Sequence, residues 1–250
     1  MERAAIVTGG GTGIGRATAI ALHRDGFGVV IAGRRPEPLE GTQALIGDDC
    51  VVFPGDIREP EVSAGLVEEC MSRFGRIDCL VNNAGGQFTA AAEDISPGGW
   101  RAVRRLNLDA PWFLTQAVAK RWMIPHGGRV VSVVLCPERG IAGMAHSSAA
   151  RAGMGALTRT LAMEWGRHGI ALNCVAPGWI DTEGVRGYDL DLDEVAAQVP
   201  MKRLGSAAEV GDLIAYLASP AAGYITGQTI AIDGGVDLTS SGWEPPQPKG

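Results

Sequence analysis

Two residues that could act together on a ligand lie one helical turn apart near the middle of the chain. Ser147 and Arg151 are separated by four positions in a helix-like run, so both side chains fall on one helix face. A serine hydroxyl donates one hydrogen bond, whereas an arginine donates several but keeps its proton. The pair can therefore organise an oxygen-rich ligand but is a poor source of protons.

A glycine-rich segment at the start of the chain is typical of nucleotide binding. The run Thr8-Gly9-Gly10-Gly11-Thr12-Gly13-Ile14-Gly15 directly follows a strand-like segment and opens a helix-like one. Glycines permit a tight turn and a close approach of the backbone to a pyrophosphate, and the free N–H groups at the helix start bind the anion. The segment predicts a dinucleotide site. Its expected cofactor-binding residues are Gly9, Gly11, Thr12, Gly13, Ile14 and Gly15.

The end of the second strand-like run indicates which dinucleotide binds. Gly33 is followed by Arg34 and Arg35, and the acidic residue that would bind a free ribose 2′-hydroxyl is missing. Arginine donates paired, charge-assisted hydrogen bonds that suit a 2′-phosphate. The segment favours NADP(H) over NAD. The alternative is a pair of solvated arginines before Pro36.

Short β-rich runs alternate with longer amphipathic runs, the pattern of a parallel sheet covered by helices on both faces. We predict an α/β fold, a single Rossmann-like doubly wound domain with a seven-stranded parallel sheet flanked by helices. The predicted strands are 4–8, 28–32, 51–54, 78–82, 129–135, 170–175 and 229–232, and the predicted helices are 13–25, 37–45, 59–74, 98–123, 147–167 and 207–217. The domain is expected to span 1–239, with a lid at about 181–200 and a C-terminal tail at 240–250.

Composition and charge exclude several classes of protein. A chain of 250 residues with 46% hydrophobic and 20% charged residues can build one large core. A net charge of −6 gives no reason to expect nucleic acid or an anionic membrane as a partner. The five cysteines lack metal-ligand spacing, so we expect no disulfide and no metal site. A strand-like run begins at Ala4, leaving no room for a signal peptide, and no apolar run approaches 18 residues, which favours a cytoplasmic protein.

Over nearly its whole length the sequence resembles the short-chain dehydrogenase/reductase family. The resemblance rests on the glycine-rich loop, Asp56-Ile57, Asn82-Asn83-Ala84-Gly85, Asn107 and Pro177-Gly178-Trp179-Ile180 with Thr182. It implies contact of Asp56 with the adenine and a homo-oligomer, namely a tetramer. The further cofactor-binding residues that it implies are Asp56, Ile57, Asn83, Ala84, Gly85, Arg151, Pro177, Gly178, Ile180 and Thr182.

The Ser-Tyr-Lys triad of that family is replaced in this chain. Ser147 takes the tyrosine position and Arg151 the lysine position. Counting back thirteen residues from Ser147 reaches Val134, or Leu135 with one deletion, so the serine position is aliphatic. Asn107, which supports the triad in the family, is unchanged. We expect Asn107, Ser147 and Arg151 to act as hydrogen-bonding organisers while the cofactor does the chemistry.

The missing tyrosine favours one reduction over another. Reducing a ketone leaves an alkoxide that needs a positioned acid, and general acid catalysis is worth about a hundred- to ten-thousand-fold. Hydride transfer to the β-carbon of a conjugated C=C bond leaves a less basic enolate, which needs mainly hydrogen bonds to its oxygen. The replaced triad should therefore impair ketone reduction more than reduction of a conjugated C=C bond.

Three segments resemble one branch of the family. Residues 81–88, 146–153 and 173–178 resemble the peroxisomal trans-2-enoyl-CoA reductases and, less closely, the 2,4-dienoyl-CoA reductases and bacterial citronellol dehydrogenase-like proteins. The resemblance implies NADP-dependent reduction of a 2-enoyl thioester, such as an acyl-CoA, or of a related enone. Two alternatives stay open: an alcohol or carbonyl oxidoreductase with a substitute proton donor, and a cofactor-bound protein with a non-redox or regulatory function.

Few side chains could replace the missing acid. Tyr216 lies in an apolar helix stripe and is predicted to be core, Tyr224 precedes the last strand, and Tyr188 lies in the predicted lid. His146 either relays a proton near neutral pH or points to solvent or a subunit contact. The lid tyrosine and the histidine are therefore the two candidates.

Three arginines share one predicted helix face. Arg101, Arg104 and Arg105 are spaced i, i+3 and i+4. The face is either solvated or in contact with the phosphates of coenzyme A.

Overall fold

Parallel strands form the centre of the molecule, in a computed structural model that describes residues 2–135, 141–187 and 190–241. The strands are β1 (Arg3–Thr8), β2 (Phe27–Gly33), β3 (Cys50–Pro54), β4 (Cys79–Asn82), β5 (Gly128–Val133), β6 (Ile170–Pro177), β7 (Ile180–Asp181), β8 (Gly205–Ser206) and β9 (Thr229–Ile232). Seven of them form one sheet in the order β3-β2-β1-β4-β5-β6-β9, and β7 pairs with β8. Every neighbouring pair is parallel. The predicted single α/β domain with a seven-stranded parallel sheet is confirmed.

Helices cover both faces of this sheet. They are α1 (Gly13–Arg24), α2 (Pro36–Ile46), α3 (Pro60–Phe74), α4 (Pro97–Arg104), α5 (Ala110–Val118), α6 (Ile124–His126), α7 (Ala145–Trp165), α8 (Glu183–Arg186), α9 (Leu192–Gln198) and α10 (Ala207–Ala218). The predicted helix 98–123 is interrupted by two π-helical turns, Arg105–Asp109 and Ala119–Met123. The predicted lid contains α8 and α9, two short helices that the sequence pattern did not indicate.

Alternation along β1 explains why the core has two halves. Ala5 and Val7 lie in one hydrophobic cluster, and Ala4 and Ile6 lie in another. Successive side chains of a strand point to opposite faces of the sheet. The first cluster includes residues of α1 and α10, and the second includes residues of α3 and α5. This two-sided burial fixes the strand ends that carry the site.

Tyr216 was predicted to be core, and that prediction is wrong. Its side chain is 47% exposed, although it lies among buried residues of α10. The apolar run of α10 extends beyond the face that packs on α1, and for this reason the hydrophobic pattern wrongly predicted that Tyr216 is buried in the core. Tyr188 and residues 242–250 of the predicted tail lie outside the described residues. Within the described part of the chain, no helix combines the length and apolarity needed to span a membrane.

Candidate cofactor and substrate site

A groove of about 410 Å³ opens where β1, β2, β3 and β4 end. Strands β2 and β3 are added on one side of β1, and the chain then crosses to place β4 on the other side. Ligands of open α/β sheets bind at such a switch point, here between β1 and β4. The structure brings most of the predicted cofactor residues together here. Those that line the groove are Gly9, Gly11, Thr12, Gly13, Ile14, Gly15, Arg34, Arg35, Asp56, Ile57, Asn83, Ala84, Gly85 and Thr182.

The glycine-rich loop forms a cradle that side chains would fill. Gly9 has a positive φ of 68°, and a Cβ placed on Gly15 would lie 2.0 Å from the carbonyl oxygen of Gly9. Helix α1 begins at Gly13, and the side chain of its N-cap residue Thr12 accepts no helix N–H. The N–H groups of the first turn are therefore available to an anion such as a pyrophosphate.

Hydrogen bonds between β1 and the turn after β4 fix one wall of the groove. The Thr8 hydroxyl accepts the backbone N–H groups of Asn83 and Ala84, each at 3.0 Å. The Asn83 amide donates to the Thr8 carbonyl oxygen at 2.9 Å. Because Thr8 is the last residue of β1, these bonds fix the Asn83 turn beside the glycine-rich loop.

Positive side chains surround the far end of the groove, beyond β2 and β3. Arg34 and Arg35 are exposed and line the groove. Asp56 pairs with Arg58, whose hydrogen bonds lower the pKa of the Asp56 carboxyl, and Arg34 lowers it further. Because the carboxylate is already paired with Arg58, the two groove-lining arginines are left to bind an anionic group.

Arg151 places a cation behind the turn that follows β4. Its Nη1 donates to the Val133 carbonyl oxygen at 2.7 Å, and its buried Nε has no hydrogen-bond partner among the described residues. Burial lowers the pKa of the guanidinium to about 10, so the group is charged at neutral pH. A Cβ placed on Gly85 would lie 2.5 Å from Arg151 Nη2. The guanidinium therefore packs against Gly85 in the groove wall, while its Nε stays buried without a partner among the described residues.

Asn107 holds the loop after β4 with both ends of its amide. Its Nδ2 donates to the carbonyl oxygens of Gly86 at 2.8 Å and Val103 at 2.9 Å, and its Oδ1 accepts the Gly86 N–H at 3.2 Å. The residue lies in the first π-helical turn, and such turns are frequent at functional sites. These contacts assign Asn107 a positioning role for the loop.

Ser147 and Val134, which the sequence assigns to the tyrosine and serine positions, are both buried. Ser147 is fully buried, and its hydroxyl donates a long hydrogen bond of 3.5 Å to Gln87 Oε1. Val134 is buried in an apolar cluster with Met154. Position 134 therefore offers no hydroxyl to a substrate carbonyl.

Four predicted cofactor residues do not line the groove: Arg151, described above, and Pro177, Gly178 and Ile180, which lie beside it. Pro177 ends β6, and the Gly178 N–H donates to the Ile232 carbonyl oxygen at 3.0 Å. The Ile180 side chain is buried in the core. The segment 177–180 is thus fixed at the carboxyl end of β6, next to the groove-lining Thr182.

The expectation that His146 could point to solvent is wrong. The imidazole is 1% exposed and lies edge-to-face against Phe88, with ring centroids 4.4 Å apart. A polar residue at the start of a helix usually points outwards, but here the loop after β4 covers it. Sequence reasoning did not single out Phe88 and Gln87 as site residues, although they directly follow the Asn83 turn.

The arginine face on α4 is largely paired. Arg104 forms an ion pair with Asp109, and Arg105 forms one with Glu59. Arg101 is exposed. This arrangement favours the solvated face over contact with coenzyme A phosphates.

The comparisons with known proteins fit this geometry. The family model described as enoyl-(acyl carrier protein) reductase matches residues 9–237. A probable 2,4-dienoyl-CoA reductase of Bacillus subtilis is 37% identical over 94% of this chain and 96% of the relative. The citronellol catabolism dehydrogenase of Pseudomonas aeruginosa is 40% identical, with a TM-score of 0.84 over 94% of this chain and 95% of that one. An actinorhodin polyketide ketoreductase with NADPH is 29% identical, with a TM-score of 0.90 over 94% of this chain and 97% of that one.

The sheet topology and the groove are those of a dinucleotide-binding fold, and the family model and relatives make the chain an oxidoreductase of the enoyl-reductase type. The chain belongs to the short-chain dehydrogenase/reductase family, whose members use nicotinamide cofactors.

Proposed function

We propose that this protein uses NADPH to reduce the C=C bond of a 2-enoyl thioester or a related enone. One observation carries the proposal: most of the predicted cofactor-binding residues line one groove, whereas no tyrosine of the described residues lies beside Ser147 and Arg151. Val134 and Ser147 stand at the serine and tyrosine positions, and both are buried. The similarity to a probable 2,4-dienoyl-CoA reductase supports the same class of substrate.

The described residues fit a bound NADPH. The free N–H groups of α1 suit the pyrophosphate, and Arg34 and Arg35 suit the 2′-phosphate. The unpartnered Nε of Arg151 suits a ribose hydroxyl. When bound, the nicotinamide would supply the hydride.

The residues of the chain would then position the cofactor and the substrate. Arg151 binds the ribose, and Asn107 holds the Gly86 loop in place. With the residues that the structure describes, the buried Ser147 hydroxyl makes one long hydrogen bond, so it can be redirected to a substrate oxygen. Water supplies the proton to the α-carbon, because an enolate accepts a proton from a weak donor.

The second candidate is a carbonyl oxidoreductase with a substitute proton donor. The structural likeness to a polyketide ketoreductase favours it. The positions of the described tyrosines weigh against it. Tyr216 is half-exposed on α10, and Tyr224 is fully exposed. A cofactor-bound protein with a non-redox or regulatory function is the third candidate.

We also propose a homotetramer in the cytoplasm. The tetramer rests on the family resemblance and on large apolar side chains left exposed on the outer helices, such as Phe113 on α5 and Met163 on α7. The bacterial relatives favour the cytoplasm.

A substrate panel tests the proposed reaction. The purified protein is mixed with NADPH and, separately, with 2-enoyl-CoAs, enones, ketones and aldehydes. Loss of nicotinamide absorbance is followed together with the product mass. We expect a gain of two mass units in enoyl substrates and little change in ketones. Turnover of ketones alone would refute the proposal, and tight NADPH binding without any turnover would favour the non-redox candidate.

A further inference from the structure

His146 contains a buried nitrogen that the fold leaves without a partner. The imidazole is 1% exposed, and its Nε2 is fully buried without a hydrogen-bond partner among the described residues. A buried polar group without a hydrogen-bond partner destabilises the folded state. Such a group in a native structure therefore calls for a functional explanation.

The contacts of the other ring nitrogen determine which tautomer is present. His146 Nδ1 accepts the backbone N–H of Ser147 at 2.9 Å. An acceptor nitrogen carries no proton, so the neutral ring must carry its proton on Nε2. The unpartnered Nε2 is therefore a hydrogen-bond donor that lacks an acceptor.

The location of this donor links it to the site. Phe88 contacts the imidazole edge-to-face, and Gln87 accepts the Ser147 hydroxyl. Both belong to the loop that continues from the groove-lining residue Gly85. Because Phe88 is 41% exposed and His146 is buried, the phenyl ring is the part of the pair that faces solvent. Binding of a ligand to the imidazole would require the exposed Phe88 ring to turn away.

The same loop is fixed to the segment that precedes α7. The Ala90 N–H donates to the Gly143 carbonyl oxygen at 3.0 Å. A Cβ placed on Gly143 would lie 2.8 Å from the Thr89 side chain. This close contact holds the loop against the start of α7, so His146 keeps its position when Phe88 turns.

We propose that His146 is a further catalytic residue, whose Nε2–H donates a hydrogen bond to the thioester carbonyl oxygen of the substrate. The inference rests on the proposed function and names the group that stabilises the negative charge developing on that oxygen. A preorganised donor aimed at such an oxygen is worth about 10²–10³-fold in kcat. The thioester oxygen also satisfies the nitrogen that the fold leaves unpaired.

His146 acts as a neutral donor and does not deliver the proton. To deliver a proton and stay neutral, the ring would first have to be protonated at both nitrogens. A proton on Nδ1 would face the Ser147 N–H at 2.9 Å, replacing a hydrogen bond with two opposed donors. The proton that reaches the α-carbon therefore comes from water.

Two substitutions separate the donor from a structural role. In His146→Asn the amide oxygen takes the place of Nδ1 and still accepts the Ser147 N–H, but the donor at Nε2 is lost. In His146→Gln the amide nitrogen lies near Nε2, but the acceptor near Ser147 is lost. We expect His146→Asn to lower Tm less than His146→Gln does, and to lose about 10²–10³-fold in kcat with 2-butenoyl-CoA. We expect His146→Gln to lower Tm further but to keep more activity than His146→Asn.

A histidine elsewhere in the chain provides the control. His126 is exposed at the end of α6 and contacts the Trp122 carbonyl oxygen through Nδ1. The variant His126→Asn should leave kcat unchanged. If activity instead followed Tm, with His146→Asn active and His146→Gln inactive, the role of His146 would be structural. That result would overturn the proposal.

Nitrogen-15 spectra of the imidazole side chains give a readout that does not depend on turnover. Butanoyl-CoA, the saturated product of 2-butenoyl-CoA, is added to the NADP⁺-bound protein. We expect the free protein to show the Nε2–H tautomer of His146 and its Nε2 proton to shift downfield on addition of butanoyl-CoA. A proton on Nδ1, or no shift on addition of saturating butanoyl-CoA, would overturn the proposal.

The two readouts separate failure of this inference from failure of the proposed function. If the wild type reduces 2-butenoyl-CoA and His146→Asn is equally active, the inference fails and the proposed function stands. If the wild type consumes no NADPH with any enoyl substrate, the proposed function fails. The spectra then decide on His146 alone: a downfield shift supports a carbonyl-binding donor without the reaction, and no shift overturns it.

Discussion

Strands β1 and β5 are the two neighbours of β4, and the segments that follow them leave the sheet at the same edge. One segment offers backbone groups to a ligand and the other offers side chains. The segment after β1 uses backbone N–H groups and glycines packed so closely that a Cβ on Gly15 would lie 2.0 Å from a carbonyl oxygen. The described residues after β5 offer side chains, namely the aliphatic Val134, the hydroxyl of Ser147 and the guanidinium of Arg151. We propose that these take the places of the family's serine, tyrosine and lysine.

This difference teaches which half of the site can change without loss of the fold. Backbone donors at a helix start depend on the chain's path, which the sheet fixes. Side-chain donors can be exchanged one at a time, because Ser147 and Val134 pack inside an otherwise complete core. The fold therefore retains cofactor binding while the chemistry at the substrate diverges.

The largest expected effect comes from disturbing the backbone half. Gly15→Ala should abolish detectable NADPH binding and lower the free energy of unfolding by about 1–3 kcal/mol, since the new methyl group meets the Gly9 carbonyl oxygen and the Asn83 amide. Fluorescence titration and urea unfolding measure the two effects. Gly41→Ala is the control: it lies in α2 with open space around it and should gain up to about 1 kcal/mol. Wild-type NADPH affinity in Gly15→Ala would contradict the account.

The second effect tests the choice of cofactor. The double variant Arg34→Ala, Arg35→Ala should bind NADPH about a hundredfold more weakly, since it loses two hydrogen bonds to a charged phosphate. Binding of NADH should be unchanged. Calorimetry with both cofactors gives the comparison, and Arg73→Ala, an exposed arginine on α3, serves as the control. An equal loss for both cofactors would show that the arginines do not read the 2′-phosphate.

Arg151→Met should have a smaller effect on cofactor binding, about tenfold, because it removes one donor to the ribose. Its free energy of unfolding at pH 7 should change by less than about 1 kcal/mol, since removal of a buried cation that forms no ion pair with the described residues offsets the lost bond to Val133. Arg151→Lys keeps the charge and is the matched control. A large loss of stability with unchanged NADPH affinity would assign Arg151 to the fold alone.

The pH dependence of that variant has a definite sign. Burial lowers the pKa of Arg151 to about 10, so folding disfavours the charged form. The wild type should therefore gain stability relative to Arg151→Met as pH rises above about 10, because the unfolded chain then binds more protons. Urea unfolding across that range measures the difference. No change in it would refute the burial of this charge.

The smallest effect concerns the Asp56–Arg58 pair. Because Arg58 lowers the Asp56 pKa below 3.8, the stabilisation is complete above that pH and is lost as pH falls through the folded-state pKa. Both side chains are partly exposed, so Asp56→Asn should cost less than about 1 kcal/mol at pH 7. The wild type and variant should converge at low pH. Persistence of the difference there would contradict the ionic origin.

The same contrast explains what the sequence could predict. The glycine-rich loop and the alternation of strands and helices are local signals, and they predicted the sheet and the lining of the groove. The π-helical turn that carries Asn107 adds a residue within an unbroken amphipathic run, so the pattern predicted one helix at 98–123. Helices α8 and α9 are too short to establish a hydrophobic period.

Burial of individual side chains was the harder problem. His146 is covered by Phe88, which lies 58 positions earlier in the chain, and no local pattern could show that contact. Tyr216 shows the reverse case, since an apolar neighbourhood in sequence did not make it buried. Side-chain environments in the substrate half depend on packing between distant segments, and this is why its chemistry needed the structure.

The central claim is that the substrate half has lost its acid and therefore reduces C=C bonds in preference to ketones. The most direct measurement is a competition in one vessel, with NADPH and equal amounts of 2-butenoyl-CoA and 3-oxobutanoyl-CoA. Mass spectrometry of the products separates butanoyl-CoA from 3-hydroxybutanoyl-CoA. The account predicts at least about a hundredfold excess of butanoyl-CoA, the lower range of what general acid catalysis contributes. Formation of 3-hydroxybutanoyl-CoA as the main product would contradict it.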